Sequence, residues 1–391
     1  MKVLNVIWAF GTGGIGKLFL TYAALGEYDL ELQISSVCID LQNCEYDRKP
    51  LTEAGIRVIA IKNRKDMSWV KRLGGIAREV KPDVVFCHGF NGPVIIKLVA
   101  CLERSLRVPM VCTYHGLYNP PTEGRRYIAD AINKLQAWMY KRFARTVVLV
   151  AEYSGLYLLE RKVPKSKLEV VYNGIVENEP ALEPVVLKSD GVSIGMAGRL
   201  DAIKGLNFLI KAIPEVRKRV DEKFHIYIIG DGPEEEALRN LARELGVEEL
   251  ICFEGYQDNV PAWLKAWDIF CLPSLQENHS IALLEAMRAG KAIVCTSVGG
   301  NPETVEDGKE ALVVPARNSE AIADALVKLI ESESLRKKMG HDARERFLRN
   351  FTEDIMKKKL CEVLKNATIN PTTVPTNIEP VLVIPLVNCL K

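Results

Sequence analysis

No Cys-x-x-Cys pair occurs in the 391 residues, although the chain carries ten cysteines. Zinc ribbons and thioredoxin-type redox centres need that spacing, so neither chemistry is expected. Cys38, Cys87, Cys112, Cys271 and Cys295 lie in or against short apolar runs, where they read as small core residues of a protein kept reduced in the cytosol. No uninterrupted apolar stretch approaches the roughly 20 residues that span a bilayer. Met1–Phe10 is apolar but short, and no cleavage-site pattern follows it, so a secretory signal is not expected. The expected location is cytoplasmic, with any membrane contact peripheral and at the inner face.

Net charge is close to absent, at +2, but unevenly spread. Residues 1–178 hold 25 Lys/Arg against 17 Asp/Glu, and the remainder 27 against 33. Basic residues gather over Lys62–Lys81 and over Arg125–Arg145, where Trp138, Tyr140 and Phe143 are interleaved. Ile128, Ile132, Leu135 and Met139 mark one helix face in the second cluster. Two readings stay open: an amphipathic helix packing on its own sheet, or a surface resting on an anionic membrane. No nucleic-acid recognition motif accompanies the charge, so a nucleic-acid partner is not expected.

What is present is alternation. Short apolar runs at Val3–Phe10, Glu31–Ile39, Val58–Ile61, Val84–Cys87, Met110–Thr113, Thr146–Val150 and Leu168–Tyr172 are separated by longer amphipathic stretches. A second series follows at Val192–Ala197, Phe224–Ile229, Leu250–Phe253, Ile269–Leu272, Ala292–Cys295 and Ala311–Val314. Such patterning predicts an α/β protein of two Rossmann-like, doubly wound parallel-sheet domains facing a cleft. The expected boundaries are 1–178 for the first domain, a Pro-containing linker over 179–190, and 191–351 for the second. Glu320–Ile330 and Ser334–Leu348 read as helices, and Thr352–Leu364 as another with Thr352 as N-cap. The tail over 366–391 contains Pro371, Pro375, Pro380 and Pro385, and Val381–Ile384 reads either as an edge strand or as loose chain.

Gly11-Thr12-Gly13-Gly14-Ile15-Gly16-Lys17 follows the first strand and opens a helix. It matches the dinucleotide-loop spacing and most of a P-loop. Leu18 stands where a P-loop needs the Ser or Thr that holds magnesium. A dinucleotide site wants an acid at the end of the second strand, and Asp40 sits about four residues late for it.

The most informative stretch is Gln276–Gly290. Glu277 precedes a helix that Ile281, Leu284 and Met287 mark by spacing, and Glu285 lies inside it. Free N–H groups between them suit an anion. Carboxylates would repel a phosphate, so these two are better suited to accept bonds from neutral hydroxyls. A nucleotide sugar offers hydroxyls on either side of a diphosphate. Upstream, Gly198-Arg199-Leu200-Asp201-Ala202-Ile203-Lys204-Gly205 follows an apolar strand, placing Arg199 at its carboxyl end and Lys204 at the mouth of the next helix. Ligands of open parallel sheets bind there, and an Arg fork with a Lys charge can neutralise a diphosphate without a metal.

Residues 194–315 resemble the donor-binding half of retaining glycosyltransferases of family 4, which have the GT-B architecture. The resemblance is carried by Gly198-Arg199-Leu200 with Lys204-Gly205, Ile229–Pro233, Phe253–Tyr256, Pro273-Ser274, Glu277 through Glu285-Ala286-Met287, Gly299–Glu303 and Asp307-Gly308. The N-terminal half is similar more loosely, through Thr113–Gly116 and Val171–Gly174, and together the match reaches about residue 365. The resemblance implies a metal-independent, cofactor-free transferase moving a sugar from a nucleotide sugar, UDP- favoured over GDP-, to a saccharide or lipid-linked acceptor in cell-surface glycan assembly.

It also implies roles. Arg199 and Lys204 would hold the phosphates, Glu277 the sugar hydroxyls and Glu285 the ribose, with Gly14, Gly198, Gly230, Glu254, Asn278, Ser280 and Ile281 completing the donor site. His115 would stand beside the donor sugar. His279 lies between the glutamates, where the family usually has a small residue, and would touch the sugar or cap the helix. His88, also ending a strand, and Gly16, where the family commonly carries Glu, would face the acceptor. The helix at 352–365 would cross back onto the first domain. The rival readings are a nucleotide-sugar epimerase on the same scaffold, for which no clear set of acids and bases is present, and a non-catalytic binding protein.

Overall fold

A computed structural model describes residues 1–8, 14–41, 48–62, 66–89, 92–116, 126–178, 182–188 and 190–369. Gly11–Gly13 of the glycine loop, residues 63–65 of the first basic cluster and the tail beyond Ile369, Val381–Ile384 included, lie outside the described residues.

Among the described residues the chain builds two all-parallel sheets. The first comprises β1 (Lys2–Trp8), β2 (Gln33–Leu41), β3 (Arg57–Ile61), β4 (Val84–His88), β5 (Met110–Tyr114), β6 (Thr146–Leu149) and β7 (Leu168–Val170), in spatial order β3-β2-β1-β4-β5-β6-β7. The second comprises β8 (Val192–Ala197), β9 (Phe224–Ile229), β10 (Ile251–Gly255), β11 (Ile269–Leu272), β12 (Ala292–Thr296) and β13 (Ala311–Val314), in order β10-β9-β8-β11-β12-β13. Each order reverses once, between β1 and β4 and between β8 and β11. Those are the switch points where the loops on either side diverge and leave a crevice.

Why the runs are apolar throughout is visible in the second sheet. Side chains alternate across a strand, and both faces here are covered by helices. Ile194, Met196, Ile226, Ile228, Val294 and Val314 point into one core. Ala197, Tyr227, Ile229, Phe270, Leu272, Ile293 and Cys295 point into the other.

The last of the described helices, Glu353–Thr368, belongs to the first domain's core although it follows the second domain in sequence. Thr352 caps it, its hydroxyl accepting from Ile355 N–H at 3.4 Å. Met356, Leu360, Cys361 and Leu364 recur at helical spacing and pack with Val3, Tyr22, Phe86, Val111 and Val148. Lys365 fastens the far end to Asp29 at 2.7 Å and Glu31 at 2.6 Å. Two backbone bonds, Ile175 N–H to Phe351 O at 3.1 Å and Glu353 N–H to Ile175 O at 2.8 Å, tie the strands of chain that cross between domains.

Candidate active site

The loops leaving β8 and β11 meet at the second sheet's switch point. Gly205 permits the meeting: it has φ of 62°, and a Cβ there would stand 2.3 Å from the Pro273 carbonyl oxygen. Leu275 N–H then donates to Ile203 O at 2.7 Å, zipping the loops together. This places Lys204 Nζ 2.6 Å from Glu277 Oε1. Both side chains are largely buried, so the pair is a fixed feature rather than a surface contact. The Ser274 hydroxyl donates to the same Oε1 at 2.8 Å. Beneath it, Thr296 donates to Ser274 O at 2.6 Å and Asn301 to Thr296 O at 3.0 Å, all three residues fully buried. A chain of hydrogen bonds through the domain interior therefore fixes the Glu277 carboxylate.

Ser280 caps the following helix, Ile281–Arg288, its hydroxyl accepting from Leu283 N–H. Glu285 stands just over one turn in. Burial pushes its carboxyl above the usual range, and Lys17, reaching across from the first domain with Nζ at 3.5 Å, opposes that shift. Lys17 follows the glycine loop after β1, so switch points of both sheets open on one cleft. Gly116 after β5 lies against Asn278, where a Cβ would stand 2.2 Å from Nδ2. Among the described residues no group of three His, Cys, Asp or Glu side chains is placed to hold a metal ion.

Comparisons with known proteins agree on what such a cleft is. Residues 179–346 match the model for glycosyl transferases group 1, and residues 44–179 the model for glycosyltransferase family 4. The chain is a family 4 glycosyltransferase. It is 24% identical, over 94% of its length and 98% of the relative's, to an uncharacterized glycosyltransferase of Methanocaldococcus jannaschii. It is 34% identical, over 56% of its length and 61% of the relative's, to a GDP-mannose-dependent alpha-(1-6)-phosphatidylinositol monomannoside mannosyltransferase of Mycobacterium tuberculosis. The crystal structure of Anabaena Alr3699/HepE in complex with UDP-glucose superposes with a TM-score of 0.78, covering 94% of this chain and 100% of that one at 19% identity. That likeness establishes the GT-B fold.

In this glycosyltransferase Arg199 follows β8 as its position in sequence requires, but its side chain is mostly exposed and pairs with Asp201 at 3.0 Å. Gly198 and Gly230 act through backbone packing. Gly230 has φ of 129°, and a Cβ there would stand 1.9 Å from Gly198 O. Without side chains, the loops after β8, β9 and β10 stack closely, Gly198 N–H donating to Ile229 O and Gly230 N–H to Gly255 O. The Glu254 carboxylate is held by Lys188 of the linker, at 2.9 and 3.1 Å. Gly14 opens the helix Gly14–Ala23, and Gly16 is buried within its first turn.

Two histidines need correction. His88 does not face the acceptor: it is 2% exposed, with Nδ1 on Thr113 Oγ1 at 2.7 Å and Nε2 on Asn5 Oδ1 at 2.5 Å. Tyr22 stacks on the ring and Phe86 meets its edge, and burial drives its pKa well down. His279 neither caps the helix, which Ser280 does, nor offers its ring to a sugar. It packs at the hinge between Tyr172, at 5.2 Å, and Phe351, at 5.4 Å, with both ring nitrogens sealed and unpartnered. Asn173 Nδ2 meanwhile donates to the His279 carbonyl at 3.1 Å, a structural role.

His115 follows β5, beside the Gly116–Asn278 contact. Its Nε2 is sealed without a partner, and burial pulls its pKa to about 4, so the ring is neutral near pH 7. Sequence reasoning gave no role to Ser274, Lys17 or Glu303. Ser274 lies within the matching Pro273-Ser274 piece, Glu303 ends the matching Gly299–Glu303 piece, and Lys17 stands at the position of a P-loop lysine; those are the available signals.

Proposed function

We propose that this glycosyltransferase transfers a sugar from a nucleotide diphosphate sugar, UDP- in preference to GDP-, to a saccharide or lipid-linked acceptor with retention of anomeric configuration. The observation that carries the reading is the Lys204–Glu277 pair, at 2.6 Å, at the second sheet's switch point. A diphosphate arriving there takes Lys204 as counter-charge, with Arg199 exposed beside it, while Glu277, still held by Ser274, turns its carboxylate to sugar hydroxyls. Glu285 accepts from ribose hydroxyls. The bond from the anomeric carbon to the diphosphate breaks, and the acceptor oxygen bonds that carbon on the departing face, its proton leaving with the diphosphate. Charge on the leaving group is met by Lys204 and Arg199, so no metal is required. Closure of the cleft keeps water from the anomeric carbon.

The UDP preference is supported by HepE, crystallised in complex with UDP-glucose; the mycobacterial relative is GDP-mannose-dependent, so both donors belong in the test. Glycan assembly at the cytoplasmic face of a membrane is supported by the helix Arg126–Phe143, which exposes Leu135 and Trp138 beside Lys134, Lys141 and Arg142. No helix among the described residues is long and apolar enough to cross a membrane, so contact would be at the surface. No observation favours the epimerase reading.

The deciding experiment incubates the protein with UDP- and GDP-sugars and an acceptor panel, with and without EDTA, and reads the product's anomeric configuration by NMR. Retention, EDTA insensitivity and loss of turnover in Lys204→Ala are expected. An inverted product, or turnover unchanged in Lys204→Ala and Glu277→Ala, removes the mechanism. Isomer interconversion without acceptor would favour the epimerase.

A further inference from the structure

The helix Glu152–Glu160 of the first domain begins without a cap of its own. Its N-cap residue is Ala151, in extended conformation with no side-chain hydrogen bond. Helix starts prefer Ser, Thr, Asp or Asn there because the first amides have no partner within the helix. Here the missing acceptor comes from the other domain. Glu152 N–H donates to Glu303 Oε2 at 2.8 Å and Tyr153 N–H to Glu303 Oε1 at 2.7 Å. An anion at this end also meets the favourable pole of the helix dipole. The Tyr172 side chain, just before the linker, lies near the same carboxylate, and each group bears on the other's ionisation.

Glu303 is itself held from behind. Arg346 donates from Nη2 to Glu303 O at 3.0 Å and from Nε to Thr304 O at 2.7 Å. Its loop continues the site: Gly300 N–H donates to Asn278 O at 2.9 Å, next to Glu277, and a Cβ on Gly300 would stand 2.9 Å from the Ala151 methyl. Burial raises the Glu303 pKa while the two amide bonds lower it. One carboxylate thus joins the uncapped first-domain helix to the segment after β12, whose Gly300 in turn bonds the loop that carries Glu277 and Asn278.

We propose that Glu303 is a positioning residue, an interdomain clasp that caps the Glu152–Glu160 helix from the donor domain and so sets how the acceptor domain seats against the Glu277 loop. It is not placed to touch the reacting atoms. Its removal should loosen the seat and leave the donor subsite built.

The test compares the intact protein with Glu303→Ala, Glu303→Gln and the double variant Glu303→Ala with Ala151→Ser, which restores a cap within the first domain. Hydrogen exchange is followed for peptides spanning residues 150–160, against the Leu206–Arg219 helix as internal reference. At least tenfold faster exchange at Glu152 and Tyr153 is expected in Glu303→Ala, less in Glu303→Gln, with the reference unchanged. Protection should return in the double variant. UDP affinity by calorimetry should stay within twofold throughout. Transfer kinetics, the arm that rests on the proposed donor chemistry, should show about a tenfold fall in kcat/KM for acceptor that the double variant does not restore, because a local cap mends the helix but not the seat. Unchanged exchange in Glu303→Ala overturns the clasp whatever the donor proves to be. Acceptor kinetics restored by Ala151→Ser would show a helix cap only, and UDP affinity falling with the rate would make Glu303 a donor-site residue. Either result also overturns it.

Discussion

His279 gives the sharpest quantitative expectation, because its ring is sealed at 5% residue exposure between Tyr172 and Phe351 with neither nitrogen partnered. Burial pulls its pKa from 6.5 to about 3. In the unfolded chain the ring takes up a proton as pH falls below 6.5, and the folded chain refuses it until about pH 3. Stability is therefore whole above the unfolded value and is lost at about 1.4 kcal/mol per pH unit below it, up to a ceiling of about 5 kcal/mol. At pH 5 the loss from this group is about 2 kcal/mol. His279→Phe keeps an aromatic ring against both neighbours and removes the titration. It also removes two buried nitrogens without partners, a gain of about 1 kcal/mol at any pH. Urea unfolding at pH 7.5 and pH 5.0 should show the variant's advantage growing by about 2 kcal/mol between the two. Some acid sensitivity should persist, since His115, pulled to about 4 by burial, remains. An advantage equal at both pH values would mean that the ring reaches water or a partner, and the placement of His279 in the hinge packing would be wrong.

Three further substitutions test the site and the fold. Lys204→Ala leaves Glu277 largely buried with Ser274 as its remaining polar partner; transfer should be lost and urea unfolding should show about 2 kcal/mol of destabilisation, below the range for fully sealed pairs. Ser274→Ala removes the 2.8 Å bond that orients Glu277 and should cost about tenfold in kcat with about 1 kcal/mol of stability, read by progress curves and denaturation. Leu360→Ala, at 1% exposure in the returning helix, should cost about 3 kcal/mol and lower the first domain's melting transition.

The architecture was legible because it rests on local regularities. Every apolar run became a strand, with ends moved by a few residues at most, since a strand covered on both faces has no polar side to blur its limits. The exceptions at the ends carry information. The run Leu168–Tyr172 gives a strand only to Val170, because Val171 turns into the first domain's core and Tyr172 leaves the sheet for the hinge, where it meets His279 and Phe351. That departure is not written in the period of the sequence; it depends on which rings the other elements bring near.

The same distinction divides the site. Lys204 and Glu277 could be placed from sequence because each lies in the loop between a strand and the next helix, and β8 and β11 are neighbours at the reversal point, so the two loops meet there. His88 satisfied the same criterion, a polar residue ending a strand, and went inward. Its direction is set by Asn5 on β1 and Thr113 on β5, whose polar atoms lie either side of β4 and outcompete the cleft for its two nitrogens. Asn5 is itself engaged by Ser36 of β2, so the imidazole completes a polar row across four neighbouring strands that would otherwise bury unsatisfied groups. A strand-end position thus delivers a side chain to the edge of the cleft, and the partners on adjoining strands decide whether it turns toward ligand or core. Cross-domain contacts such as Lys17–Glu285 stand one step further from sequence, because they depend on the relative seating of two separate sheets.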